Sequence, residues 1–446
     1  MTSIKPERLI YTFVSYAAAF QGRGVPVEGI HRIAELAHRH QIPVTWIVDS
    51  ETTAHVQASI RTWHEQFGDS VILACPAYED EAKLSNRLAS EWAIVEEAFP
   101  WLTTKVLATG FITNELIQVM ESQDFQGLWG YCWQQSWWDG ISHRGVPWGF
   151  WYIDPAGYKR PQGSRIVAVE WTARDLNLAL HTDDAVYYST DPNDVLRAGL
   201  CTGDNIAYWQ KLFDEYLSNT QNNEWVFFTQ QQESHEMDAS PAFLVCSEAD
   251  IKESERMLEH FWAYIAAYPI RKMNLPDAIA LYRGQYRQTA PSYMLTEDCE
   301  IRPELNAYTM LRGGIPQGPW PETFLYYDTE CQLAFIKGKS RPHLLRNYTM
   351  QSGMEGDFTD AIPEIFVHTF EKSEARIEID YVIETDRCLP FGLVFWDDLS
   401  GYRIQSCKEV IEAVIIEDKC AFIRFNLKGE SKSVHIILEK TEEAEC

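Results

Sequence analysis

What the chain lacks narrows it first. Its 446 residues contain no stretch of about 18 apolar residues, so no transmembrane helix is expected. The opening Met1-Thr2-Ser3-Ile4-Lys5 leads into only a short apolar run and no secretion leader. Positive charge is scarce: Lys and Arg number 38 against 65 Asp and Glu, a formal charge of -27. Binding to nucleic acid or to an anionic membrane surface needs basic patches and is not expected. The ten cysteines are irregularly spaced and form no CxxC pair. Without a leader, reduced thiols and a cytoplasmic location follow as the expectation. GxSxG is absent. Gly22-Arg23-Gly24 is no dinucleotide loop, because Val27 stands where a third glycine belongs. His64 has no second histidine four residues on. Internal repeats and low-complexity tracts are missing too.

What is present is ordinary for a globular protein: 46% hydrophobic and 23% charged. The length exceeds one ordinary core, so two domains are expected. Apolar runs and helical periodicity alternate over the first two thirds. Strands are predicted at 9–16, 44–48, 70–75, 105–109, 127–133, 165–171 and 225–229. Helices are predicted at 27–40, 53–67, 83–99, 114–122 and 205–219, and from the capping pair Ser247 and Asp250 to about Tyr268. On the first helix His38 and His40 face different sides and read as surface residues. Alternation of this kind implies a parallel sheet with crossover helices. Seven units favour a closed or nearly closed (β/α) barrel, with its chemistry at the C-terminal ends of the strands. After about residue 290 the rhythm changes to strands and turns, with eight strands predicted between Phe324 and Glu439. The fold class expected is therefore α/β: a seven-stranded (β/α) barrel over 1–290 and a C-terminal β-sandwich over 295–446.

One stretch, 129–154, holds six of the chain's 16 tryptophans. Trp133, Trp137, Trp138 and Trp148 alternate there with Gln135, Asp139, His143 and Tyr152. Flat rings interleaved with amides and charges suit the apolar face and hydroxyls of a sugar or polyol. An aromatic core under a long loop is the other reading. Trp46 and Gln231 join the candidate substrate-binding residues. Carboxylates cluster after strands. Asp49 and Glu51 follow the second strand, either as acid, base or nucleophile or as a helix cap. Glu170, with Asp175 shortly after, follows the sixth, as a catalytic group or as an ion pair with Arg165 or Arg174. The polar run 230–236 follows the seventh and carries Glu233 and His235, which can relay a proton or bind metal, or form a solvated loop. His181 offers a further metal ligand or a turn.

Tyr11-Thr12-Phe13 as a first strand, a helix, and then Ile42-Pro43-Val44-Thr45-Trp46 resemble the superfamily of polysaccharide deacetylases and family-57-type glycoside hydrolases. The resemblance covers about two thirds of the chain and implies a seven-stranded β/α barrel. The deacetylase metal motifs depart from the pattern. Val14 and Ser15 stand where that family has two aspartates, and Cys75-Pro76-Ala77-Tyr78 stands where it has a histidine pair. Its late Leu-x-His motif is at best displaced to His235. The glycosidase branch implies two carboxylates at strand ends, which Asp49, Glu51, Glu170 and Glu233 can supply. The expectation is an intracellular carbohydrate-active hydrolase using carboxylates at the barrel mouth. Its alternatives are a metal-dependent deacetylase with a rearranged site, through Asp49, His181 or His235, and a barrel that only binds glycans. No cofactor is expected, and a divalent metal stays open. The expected partner is a carbohydrate or polyol substrate, and a homo-oligomer also stays open.

Overall fold

The computed structural model describes residues 4–76, 81–109, 112–130, 149–153, 165–173, 190–221, 223–243 and 245–287. Beyond these it describes 292–294, 325–328, 333–336, 343–344, 346–347, 364–384, 388–396, 401–407, 413–417, 420–428 and 432–441. The first part is an α/β structure around one curled sheet. Its strands are β1 (Leu9–Tyr16), β2 (Val44–Val48), β3 (Ser70–Ala74), β4 (Val106–Ala108), β5 (Gly127–Trp129), β6 (Phe150–Tyr152), β7 (Val167–Val169), β8 (Val226–Glu233) and β9 (Arg271–Lys272). Helices α1 (Val27–Arg39), α2 (Ser50–Phe67), α3 (Glu81–Ala98), α4 (Asn114–Ser122), α5 (Pro192–Arg197), α6 (Ala207–Ser218), α7 (Glu248–Ile265) and α8 (Leu275–Gln285) accompany them.

The sheet runs β6-β7-β5-β4-β3-β2-β1-β8, with β9 also paired to β1. Every pairing is parallel except that of β6 with β7. The sequence predicts seven strands, and two more are present: the antiparallel edge strand β6 and the two-residue β9. Both are too short for a periodic signal. The sheet curls until its ends approach. Phe150 stacks on Phe227 at 3.9 Å between ring centres, and the Ala173 amide donates to the Thr229 carbonyl at 2.5 Å.

β1 shows why the strands read as continuous apolar runs: both faces are covered. Leu9, Tyr11 and Phe13 face the helices and share a core with Ile30, Ile33 and Trp262. Ile10 and Val14 face inward, with Ile47, Ile72, Val106 and Phe227. Helix α8 closes the N-terminal end of the curled sheet. Asn274 caps it, and its Leu275, Ala278, Ile279 and Tyr282 enter the inward core. A Cβ on Gly127 would lie 2.5 Å from the tip of the Ile279 side chain and 3.0 Å from that of Val106, so glycine at this strand start lets the helix seat closely. The opposite, C-terminal end of the sheet is left to loops.

The C-terminal described strands form three four-stranded antiparallel sheets. In the sheet joining Glu364–Lys372, Arg376–Glu384, Lys432–Lys440 and Tyr402–Cys407, Ile377, Ile379, Ile436 and Leu438 are fully buried. Glu378, Asp380, His435 and Glu439 alternate with them on the other face. No described helix is long and apolar enough to cross a membrane.

Candidate functional site

The strand tips build the site. β1 and β8 pair over their whole length, which sets Ser15 beside Gln232 and Tyr16 beside Glu233. The Ser15 and Ser234 hydroxyls hydrogen-bond at 2.8 Å and lock the two tips together. Residues 230–233 are therefore the last half of a strand, not the start of a loop as their polarity predicts. Alternation sends Gln231 and Glu233 to the inner side, with Val14 and Tyr16, and Gln230 and Gln232 toward the helices. The chain then forms a 3-10 turn, Ser234–Met237. Helix α1 packs so tightly on this turn that a Cβ on Gly29 would sit 1.9 Å from the Ser234 carbonyl oxygen. The Gly29 amide also donates to Asp238 at 3.3 Å.

His235 Nε2 lies 3.0 Å from Glu233 Oε2. The imidazole is 3% exposed and stacks flat on Phe20, 3.6 Å between ring centres. Its Nδ1 has no hydrogen-bond partner among the described residues. The Glu233 side chain remains one-third open to solvent, at 33%. Tyr16 stands beside it, and its phenol is pushed up to about 12 by burial and then by the negative charges of Glu233, Asp49 and Cys75. Asp49 and Glu233 thus bear on one phenol at the open end of the sheet. Of the two readings of Asp49, the helix cap is the one present. It caps α2, accepting from Thr52 N at 2.7 Å, and its other oxygen accepts from Ala19 N at 3.0 Å, fixing the loop after β1.

Behind this surface lies a buried acidic layer that the sequence does not announce. Glu236 accepts from Asn193 Nδ2 at 2.7 Å and Gln232 Nε2 at 3.2 Å. Burial, then the charges of Glu233 and Asp194, raise its carboxyl to about 8 against the opposing pull of Asn193 and Arg197. Asp191 caps α5 by accepting from Asn193 N and Asp194 N and also accepts from Gln231. Burial and then Glu236, Asp194 and Glu233 hold it well above the usual carboxylate range. Arg197 pairs with Asp194 at the edge of the layer. Asn193 ties the layer to α7 by accepting from the Ser254 hydroxyl at 3.0 Å. Asp191-Pro192 has the pattern of a cap followed by a first-turn proline, the one local signal that could have marked this segment.

Two groups of metal-ligand type occur among the described residues. Glu233, His235 and Glu236 bring one ligand atom each within 4.8 Å of one another. Glu378, Asp380 and His435 do the same on the outward face of the C-terminal sheet. There His435 Nδ1 bonds to Asp380 at 2.6 Å as a cross-strand neighbour, and Arg376 pairs with Glu378, two residues on along the same strand, at 2.7 Å.

Other expected site residues fall elsewhere. Trp46 corrects its assignment as a sugar platform: it is fully buried on the helix side, its indole N–H donating to Asp69 at 2.8 Å. Such a ring has no face to offer a ligand. Tyr152 is also corrected. It pairs with Val167 at the N-terminal end of the sheet, away from Glu233, and its hydroxyl donates to the Tyr286 carbonyl at 2.7 Å. His38 is not a surface residue but a buried partner of Asp69 at 3.0 Å, stacked on Phe67 at 3.9 Å. Glu51 is exposed in the first turn of α2. Glu170 is 6% exposed beside a void of about 10 Å³ shared with Phe150, Thr172, Phe227 and Thr229, room for one water at most. Trp133, Gln135, Trp137, Trp138, Asp139, His143, Trp148, Asp175 and His181 lie outside the described residues.

No family model and no curated protein matches the chain. Among solved structures it is similar to a protein described as a polysaccharide deacetylase from Mycobacterium smegmatis, at 14% identity and a TM-score of 0.40, covering 68% of this chain and 96% of that one. The Puue allantoinase is similar at 12% identity and a TM-score of 0.41, covering 63% and 92%. A 4-alpha-glucanotransferase from Thermococcus litoralis is similar at 9% identity and a TM-score of 0.43, covering 98% of this chain and 100% of that one. The resemblance to polysaccharide deacetylases and to a glucanotransferase is one of fold, at low identity.

Proposed function

We propose that the chain is a carbohydrate-active hydrolase whose reaction takes place at the C-terminal mouth of the curled sheet. The observation that carries this reading is the Glu233–His235 pair: a partly open carboxylate 3.0 Å from a buried imidazole, at the tip of the strand that pairs with β1. Glu233 is the group that meets the substrate, as base or nucleophile. His235 takes or returns the proton, and Tyr16, whose phenol stays protonated at neutral pH, donates a hydrogen bond to a substrate oxygen. Asp49 adds negative charge and holds the loop after β1. Trp133, Trp137, Trp138 and Trp148, with Gln135, Asp139 and His143, are proposed as the walls that hold the sugar. The reading takes residues 1–290 as a (β/α) barrel of seven units and 295–446 as a β-sandwich, working in the cytoplasm. The one-sided burial of Ile377, Ile379, Ile436 and Leu438 supports the sandwich, since a half-buried sheet needs a second layer.

A panel of α- and β-linked oligosaccharides, acetylated and not, tests it by release of reducing ends and of acetate. Glu233→Gln should lower turnover about 10²- to 10⁴-fold while the fold is retained. Turnover within twofold of the parent would sink the assignment.

One observation favours a second reading, a metal-dependent deacetylase. Glu233, His235 and Glu236 converge within 4.8 Å, and one imidazole with two carboxylates suits zinc or manganese. Acetate release that is lost on dialysis against a chelator and restored by either ion would select it. Release indifferent to the chelator would reject it.

A further inference from the structure

At the other end of the sheet, Arg165, Arg283 and Arg287 line one open cavity of about 370 Å³ together with Tyr152 and Gly284. In a chain with 65 acidic and 38 basic residues, three guanidinium groups gathered with no carboxylate among the described lining residues need a reason. Other arginines have found partners. Arg8, Arg23 and Arg61 donate to backbone carbonyls. Arg32, Arg39, Arg197, Arg256 and Arg376 pair with carboxylates, and Arg271 lies over Trp225. Arg165, Arg283 and Arg287 have no hydrogen bond, ion pair or ring contact among the described residues. Arg165 therefore does not serve as the ion-pair partner of Glu170. The charge of Arg283 at the end of α8 offsets the helix dipole, which accounts for one of the three and for none of the convergence.

From this we infer that the cavity is a binding site for a small polyanion, a ligand carrying a phosphoryl group or two carboxylates. Guanidinium forks match both groups by paired, charge-assisted hydrogen bonds. The volume lies within the usual range for small-ligand sites. The Tyr152 hydroxyl is already committed to the Tyr286 carbonyl, so its ring forms a wall while the arginines supply the polar contacts. The site sits at the N-terminal end of β5 and β7, opposite Glu233, and is independent of the reaction proposed for the mouth.

Gly284 provides a clean test. A Cβ there meets nothing within 4 Å, so Gly284→Glu adds a carboxylate to the wall that the arginines line. The full chain is titrated with pyrophosphate and with citrate at constant ionic strength, read by calorimetry and by the melting temperature. At least one anion is expected to bind saturably and raise the melting temperature. Pyrophosphate alone identifies a phosphoryl ligand and citrate alone a carboxylate one. Arg283→Gln and Arg287→Gln should each weaken binding about tenfold or more, Gly284→Glu should abolish it, and Arg256→Gln on α7 should leave it unchanged. Neither anion acting beyond matched chloride, or Gly284→Glu binding as the parent does, overturns the inference.

Discussion

Glu236→Gln should change how stability depends on pH. The Glu236 carboxyl stands at about 8 where 4.5 is ordinary. In the unfolded chain it ionises above 4.5, while the folded protein holds its proton until about 8. The unfolded state then binds fewer protons, so stability is full below pH 4.5 and falls as pH rises to 8. At 1.36 kcal/mol per decade the loss is about 3 kcal/mol by pH 7 and about 5 kcal/mol above pH 8, as an upper figure shared with Asp191. The amide of the variant cannot ionise. It keeps an oxygen for Asn193 Nδ2, and its NH₂ can donate to Gln232 Oε1, which is buried and without a partner among the described residues, once that amide turns over. Urea unfolding followed by tryptophan fluorescence at pH 5.5, 7 and 8.5 reads the effect. The variant should gain about 3 kcal/mol on the parent between the first and last pH. Two curves that stay parallel within about 0.5 kcal/mol would refute the account of a buried, protonated Glu236.

Two further substitutions probe how the site is held. Gly29→Ala drives a methyl into the Ser234 carbonyl at 1.9 Å, so it should destabilise by about 1–3 kcal/mol or more and displace His235, seen as a loss of turnover larger than the loss of stability explains. Trp46→Phe removes one of the donors to the fully buried Asp69. It should cost about 1–3 kcal/mol by chemical denaturation yet leave the kinetics of the remaining folded protein unchanged, whereas a selective loss of substrate affinity would return Trp46 to the binding site.

The sequence carried the fold where apolar periodicity was strong. β1, β2 and α4 fall where the spacing predicts them, at Leu9–Tyr16, Val44–Val48 and Asn114–Ser122, and the Ser247–Asp250 capping box is present. Polarity misled at Gln230–Glu233. That run reads as loop because strands are expected to be apolar, yet its amides bond inside the fold to Asp191, Glu236 and Tyr11, with Gln232 Oε1 lacking a partner among the described residues. Helix α8 escaped because its apolar positions face the inside of a sheet whose strands lie up to about 270 residues earlier, a contact no local pattern encodes. Separation along the chain hid the acidic layer too: Asn193 joins Asp191 to Glu236, its backbone N–H donating to the first and its side chain to the second, and only the folded chain shows that both are buried. Trp46 and Tyr152 look like ligand-binding rings in sequence. Burial decides against Trp46, and the sheet register moves Tyr152 to the end of the sheet opposite Glu233.

Glu233 is the residue proposed to perform the chemistry at the mouth. Its most direct test is to measure turnover and binding together on Glu233→Gln, with the best oligosaccharide from the panel. Binding is expected to stay within a fewfold of the parent, by calorimetry, and turnover to fall by at least about 10²-fold. Turnover at the level of the parent, with the substrate bound equally well, would contradict it and move the chemistry away from Glu233.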